Sequence, residues 1–128
     1  MAGPEHAVGW VDRALAAAGN VDLRDALTRE VVMTFVFGVL NGWASDTGAS
    51  PLDVQAGMTA ALVARFGDDP AQAVVDCHEL IACTDRSYHT VKYSIIHRGI
   101  EGYFSLRDGE DARVRENLLD VLALVRAG

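Results

Sequence analysis

The chain has 128 residues, and its net charge of −7 argues against a nucleic-acid partner, because DNA-binding proteins concentrate positive charge against the phosphates. Half of the residues are hydrophobic and 23% are charged, which is typical of a globular fold and unlike a disordered chain. The length suits one domain, which can bury enough apolar surface to fold without a disulfide or a metal.

A first helix is predicted at about residues 4–18, because Pro4 suits a first helical turn and Gly19 with Asn20 suits a helix end. Its inward stripe repeats at three and four residues: Val8, Val11, Leu15 and Ala18. Trp10 lies off this stripe and either covers a neighbouring helix or contributes to a surface. Residues 1–6 contain neither a basic segment nor an apolar run, so no secretory signal is expected.

The rest of the chain is organised around residues 26–44, where positions 31–40 form a run without a polar face. We predict a helix that is capped by Asp22 and surrounded by other helices. Since Arg29, Glu30 and Asn41 limit the run to about half of a membrane span, no membrane partner is expected. The pair formed by residues 38 and 42, both glycine, either admits a close helix crossing or marks the beginning of helix termination.

Two further helices have clear start signals. Ser50-Pro51-Leu52-Asp53 begins the third helix, which Gly67 ends, and Asp69-Pro70-Ala71-Gln72 begins the fourth. The predicted inner stripe of the fourth helix consists of Val74, Cys77, Leu80, Ile81 and Thr84. Cys77 and Cys83 make no disulfide framework, so we expect two reduced thiols in a cytoplasmic protein.

A fifth helix is predicted from about Tyr88 to Leu106. Gly99 and Gly102 interrupt it at about 1 kcal/mol each relative to alanine, which suggests a close backbone approach, a bend or a partner. A sixth helix follows Gly109, with this buried stripe: Val114, Leu118, Val121, Leu122 and Val125. The predicted fold is therefore all-α, with residues 1–128 in a single-domain compact bundle of about six helices around the buried second helix.

The usual catalytic and metal-binding motifs do not occur in the sequence. It contains no glycine-rich phosphate loop, Cys-x-x-Cys pair or His-Glu-x-x-His signature, so we predict no enzyme, no cofactor and no metal. Cys77-His78-Glu79 offers suitable residue types, but neighbours on a helix point about 100° apart and do not form a preformed triad.

Polar residues recur every four positions along the fifth helix. The candidate partner-binding residues of this stripe are His89, Tyr93, His97 and Glu101, with Arg98 beside them. His89 and His97 are two turns apart, roughly 12 Å by helical rise, too far to share one metal ion. The stripe either faces solvent or forms a recognition surface. Residues 84–107 hold four basic against two acidic residues, which favours recognition.

The segment Ile95-Ile96-His97-Arg98-Gly99-Ile100-Glu101-Gly102-Tyr103 resembles a family of small all-α bacterial immunity proteins encoded beside polymorphic toxins. Trp43 and the Ser50-Pro51-Leu52-Asp53 start are also similar to that family. The resemblance implies a non-enzymatic, cytoplasmic protein that binds a cognate toxin.

Two alternatives stay open. One is a small-molecule- or metal-binding bundle that uses His78, His89, Tyr93 and His97. The other is a homodimer whose interface contains Trp10 and Trp43.

Overall fold

A computed structural model describes residues 3–128, which form six α-helices with no strand among them; 80% of these described residues are helical. The helices are α1 (Pro4–Ala18), α2 (Ala26–Thr47), α3 (Pro51–Phe66), α4 (Pro70–Ala82), α5 (Thr90–Arg107) and α6 (Asp111–Ala127). Met1 and Ala2, the first residues of the segment in which no secretory signal is expected, lie outside the described residues. The predicted all-α class with six helices is confirmed.

The second helix lies at the centre of the bundle, as predicted. Every residue from position 31 to position 40 is buried, and α2 packs against α1, α3, α5 and α6. Thr34 is the polar residue within this run, and its hydroxyl donates to the Glu30 carbonyl over 2.7 Å, so its burial leaves no polar group unsatisfied. Within residues 3–128, no helix combines the length and the apolar character needed to cross a membrane.

The residue that caps α2 is Asp25, so the prediction of Asp22 is wrong. The Asp25 carboxylate accepts hydrogen bonds from the Thr28 backbone N–H at 2.9 Å and from the Thr28 hydroxyl at 2.7 Å. These bonds hold the pKa of Asp25 at about 2. Asp22 instead bonds Arg24, because the chain turns once more before the first helical residue, Ala26. The far end of α2 extends to Thr47, where Gly48 caps it with a φ of 76°.

Four glycines allow α2 and α5 to cross at close range. A Cβ atom added to Gly38 would collide with the Ile96 carbonyl oxygen, and one added to Gly99 would collide with the Phe35 carbonyl oxygen. One turn further on, Gly42 lies against Tyr103, and Gly102 lies against the Phe35 ring. The glycine pair of α2 therefore serves close packing and does not terminate the helix, which continues to Thr47.

The predicted starts of α3 and α4 are present. Ser50 and Asp53 form a capping box, and Asp69 caps α4 by accepting from the Gln72 N–H at 2.8 Å. The predicted inner stripe of α4 is partly wrong, since Val74, Ile81 and Thr84 are exposed. The buried residues of this helix and its C-cap are Ala73, Cys77, Leu80 and Cys83. This stripe is narrow because α4 packs mainly on α3.

Both cysteines are free and buried, and burial raises the pKa of each thiol. A raised pKa keeps a thiol protonated and unreactive.

The fifth helix begins at Thr90, two residues later than predicted, because His89 is its N-cap. The His89 imidazole accepts at Nδ1 from the Lys92 backbone N–H over 3.1 Å. At the other end Gly109 takes a φ of 77° before α6 begins at Asp111. The stripe predicted for α6 is buried at four positions, while Val125 is half-buried.

Candidate functional site

The outer face of α5 presents three of the five predicted partner-binding residues to the outside. His97 and Glu101 are exposed, and Tyr93 is half-buried one turn before His97. The Tyr93 and His97 rings lie 4.4 Å apart between centroids, so the tyrosine supports the imidazole from one side. These contacts give the surface an aromatic element with hydrogen-bonding groups at its edge.

The predicted residue His89 has a role in the fold. Its capping bond orients the imidazole towards the first turn of α5, and the side chain is half-buried. Next to this cap, the Lys92 ammonium donates to the Glu30 carboxylate over 2.6 Å and joins α5 to α2. The beginning of α5 is therefore fixed by a local cap and by an ion pair to the central helix.

Arg98 joins α5 to α6. Its Nε donates to the Asn117 amide oxygen, and its Nη2 donates to an Asp120 carboxylate oxygen at 2.6 Å. The amide nitrogen of Asn117 donates in return to the Arg98 carbonyl oxygen at 3.0 Å. The Arg98 side chain is 34% exposed, so its guanidinium borders the surface while its donors hold the neighbouring helix.

Arg98 and Glu101 line a polar groove of about 600 Å³ between α5 and α6. The α6 side of this groove is lined by Arg113, Glu116, Asn117 and Asp120. Sequence analysis missed these four residues, although their spacing of three and four is the signal of one polar helix face. The groove combines donors and acceptors from two helices on one surface.

A second groove, between α3 and α4, was also not predicted from the sequence. It measures about 820 Å³ and is lined by Leu52, Ala56, Thr59, Ala60, Val63 and Pro70. The signal in the sequence is a second apolar flank on α3, because Leu52, Ala56 and Val63 follow helical spacing beside the buried stripe. All of these residues are uncharged, unlike those of the α5–α6 groove.

The histidines of the metal-binding alternative do not converge on one point. His78 is exposed on α4, His89 caps α5, and His97 lies two turns into α5. In residues 3–128, no group of three or more His, Cys, Asp or Glu side chains is arranged to hold a metal ion. The structure therefore adds no support for this alternative.

Trp43 lies in the core with 2% of its surface exposed, so its expected place in a dimer interface is wrong. It is buried because it follows the apolar run of the central helix. Trp10 is half-buried, and its ring packs edge-to-face on Tyr103 at 4.8 Å, with the Arg13 guanidinium 4.6 Å from its centroid. Trp10 therefore covers a neighbouring helix, which was one of the two expectations for it.

Tyr103 links this aromatic cluster to the end of α2. Its hydroxyl donates to the Asp46 carboxylate over 2.8 Å, while the ring is 1% exposed. Burial, and then the bond to Asp46, raise the pKa of Tyr103 to about 12. The phenol thus stays protonated and acts as a permanent hydrogen-bond donor between α5 and α2.

Comparison with known protein families gives a match over almost the whole chain. The family model described as Immunity protein 48 matches residues 5–126, which cover nearly all six helices. Neither the curated proteins nor the solved structures give a match. The match confirms the resemblance to immunity proteins of polymorphic toxin systems that the sequence suggested. The chain belongs to the Immunity protein 48 family.

Proposed function

We propose that this chain neutralises a cognate protein toxin by binding to it, without catalysis, in the cytoplasm of the cell that makes the toxin. The observation that carries the proposal is the family match, which extends over residues 5–126. The match includes residues of all six helices, so we assign the immunity role to the bundle as a whole.

The fold suits a protein that acts through a preformed surface. Buried apolar residues from all six helices form one core cluster, and ion pairs connect helices at its edges, including Lys92 with Glu30 and Arg98 with Asp120. A surface that is already ordered loses little conformational entropy on binding, and more of its contact energy appears as affinity.

The five predicted residues divide into two roles in this proposal. Tyr93, His97 and Glu101 contact the toxin, because two are exposed and the third supports the His97 ring. His89 and Arg98 position that surface, the first by capping α5 and the second by bonding α6. The α5–α6 groove extends the same surface with donors and acceptors from α6.

The direct test uses the toxin encoded next to this chain. Purified chain and toxin should form a stable complex by calorimetry, and the complex should lack the toxin's activity. Addition of excess denatured chain serves as the control for non-specific protection. Loss of toxin activity without a complex, or chemical change of the toxin by trace amounts of the chain, would contradict binding as the mechanism.

A further inference from the structure

The polar α5–α6 groove adjoins a small apolar pocket between the same two helices. The pocket measures about 120 Å³. Its apolar lining residues come from both helices: Val91, Ile95, Val121, Leu124 and Val125. Arg98 lines the pocket and the groove, so its side chain forms a wall that the two share. The name α5–α6 face is used below for the pocket and the groove together.

The α5–α6 face has an apolar end and an acidic end. The helices run in opposite directions here, because rising positions along α5 meet falling positions along α6. The residues that share a lining or a bond are, in order, Val91 with Leu124, Arg98 with Asp120, and Glu101 with Glu116. Val91 and Glu101 are ten positions apart, roughly 15 Å by helical rise. An extended segment of about five residues in a partner protein can therefore reach both ends.

The apolar end exposes two large side chains, one from each helix. Leu124 is 61% exposed and Val91 is 54% exposed, while Ile95 and Val121 of the same lining belong to the buried core. Single exposed apolar residues are common on proteins, but exposed side chains from two helices around one pocket indicate a binding surface. An apolar group of a partner would gain affinity there as water leaves the pocket.

The acidic end carries two carboxylates that the fold leaves unpaired. Each arginine that lines the groove has a carboxylate partner: Arg98 with Asp120 at 2.6 Å, and Arg113 with Glu110 at 3.6 Å. Glu101 on the α5 wall and Glu116 on the α6 wall are exposed. Within residues 3–128, neither of these two carboxylates forms a hydrogen bond or an ion pair. The groove thus holds two uncompensated negative charges on opposite walls.

These two carboxylates decide among possible occupants of the α5–α6 face. They repel the phosphates of nucleic acid or of a lipid surface. A second copy bound through the same face would bring two further unpaired carboxylates to the groove. A protein segment that carries an apolar side chain and a lysine or arginine satisfies both the pocket and the acidic end.

We propose that the α5–α6 face binds a segment of the cognate toxin that places an apolar side chain in the pocket and a lysine or arginine between Glu101 and Glu116. This inference rests on the proposed toxin binding and names the chemistry of the toxin segment. The bonds from Arg98 to Asn117 and Asp120 hold the two walls together before the toxin arrives, which reduces the entropy lost on binding. The two carboxylates speed association and fix the orientation of the segment.

The apolar end is tested with two leucines of α6. Leu124→Ala removes a pocket side chain, and Leu119→Ala is the matched control, because Leu119 is 48% exposed on the same helix but does not line the pocket. Each variant is first checked by circular dichroism and urea unfolding, then titrated with the toxin encoded next to the chain. Leu124→Ala should weaken the complex by roughly tenfold, and Leu119→Ala should bind like wild type. Val91→Ala repeats the test from α5. Equal affinities for the Leu124 and Leu119 variants would overturn the pocket as the apolar site.

The acidic end is tested by removing one charge at a time. Glu101→Gln and Glu116→Gln should each weaken the complex by roughly threefold or more, because glutamine keeps the shape and loses the charge that attracts a basic side chain. Glu5→Gln is the matched control, since Glu5 is exposed on α1, next to Pro4, whose carbonyl lies near Gly57 of α3. This variant changes the net charge equally and should bind like wild type. Glu116→Lys should bind roughly tenfold more weakly than Glu116→Gln through repulsion. Wild-type affinity in both glutamine variants, or equal affinities for Glu116→Lys and Glu116→Gln, would overturn the basic character of the segment.

The proposed function and the α5–α6 face fail in different ways. If wild-type chain forms no complex with the toxin, both proposals fall. If wild type binds and the variants at Leu124, Glu101 and Glu116 bind equally well, toxin binding stands and the inference about this face falls. Sedimentation of the chain alone, with and without Leu124→Ala, tests self-association. A wild-type dimer that Leu124→Ala dissociates would assign the face to a second copy and overturn its assignment to the toxin.

Discussion

Gly38 of α2 and Gly99 of α5 lie against each other at the crossing of these two helices. A Cβ atom added to either glycine would come within 2.8 Å of the Cα atom of the other. Helices approach this closely only where both backbones lack a side chain, and the approach extends to Gly42 and Gly102 one turn away. The crossing fixes α5 on the central helix and thereby fixes the direction of its exposed stripe.

The glycine crossing predicts that even alanine is too large at its centre. Gly38→Ala should destabilise the chain by about 1–3 kcal/mol, because the added methyl meets the Ile96 carbonyl and this outweighs the gain in helix propensity. Gly9→Ala is the control, since nothing lies within 4 Å of its added Cβ, and it should stabilise by about 0.5–1 kcal/mol. Urea unfolding measures both. If both substitutions stabilise the chain, the close crossing of α2 and α5 at Gly38 is contradicted.

The contacts of Arg98 predict a change in stability. Arg98→Ala removes the bonds to Asn117 and Asp120 and should lower the free energy of unfolding by roughly 0.5–1 kcal/mol, a modest value because the pair borders solvent. His97→Ala, one position away and exposed, should stay within about 0.5 kcal/mol of wild type. Equal unfolding midpoints for wild type and Arg98→Ala would contradict the positioning role. Toxin binding by the folded variants then shows whether each residue positions the surface or contacts the toxin itself.

The hydrogen bonds that Asp25 accepts at the start of α2 predict that the stability of the chain depends on pH. The pKa of Asp25 in the folded chain is about 2, below the ordinary value of 3.8, mainly through the bonds from Thr28. A lowered folded pKa contributes stability above the unfolded pKa, and this is lost as pH falls from about 4 towards 2. At pH 7 the Tm of Asp25→Ala should therefore be lower than that of wild type. This difference in Tm should shrink as the pH falls over that range. Asp22→Ala, which removes no cap, should show a smaller difference; an equally large one would argue against the capping role of Asp25.

Asp68 predicts the opposite pH dependence. Its Oδ1 is bonded to Arg29 at 2.6 Å, while Oδ2 is buried without a hydrogen-bond partner. Burial, followed by the nearby Asp76 carboxylate, raises the pKa of Asp68. An acid with a raised folded pKa favours folding when protonated, so wild type should gain stability as the pH falls through that pKa towards the ordinary value of 3.8.

Asp76→Asn tests this pair. The amide carries no charge and offers a donor to Asp68, so the variant should have a higher urea midpoint than wild type at pH 7. The difference should shrink as Asp68 becomes protonated in wild type. Asp120→Asn is the control, because Asp120 pairs with Arg98 away from this site, and it should not raise the midpoint. A lower midpoint for Asp76→Asn at pH 7 would contradict repulsion between the two carboxylates.

The sequence by itself determined the features that depend on neighbours along the chain. The Ser50 and Asp69 caps act within three residues, and the continuous burial of positions 31–40 follows from a run that has no polar face. Even here, the predicted cap of α2, Asp22, lies three positions before the residue that caps it, Asp25. Only the turn before Ala26 decided between them.

The motif that carried the family resemblance also shows that the sequence does not identify contacts between distant residues. Five of its nine residues are buried: Ile95, Ile96, Gly99, Gly102 and Tyr103. Their spacing indicated that one face of α5 packs against another element. Periodicity identifies the buried face of a helix, but it does not identify the helix that packs on it. The partner of Gly99 is 61 residues earlier in the chain, at Gly38.

The tertiary structure alone decided what the surface residues do. Arg98 reaches Asn117 and Asp120, 19 and 22 positions away, and so became a link between helices. The α3–α4 groove exists because two flanks, each beside a buried stripe on its own helix, lie next to each other. Local propensity specifies where a helix begins and which side is apolar, whereas the relative placement of helices depends on packing between residues far apart in the chain.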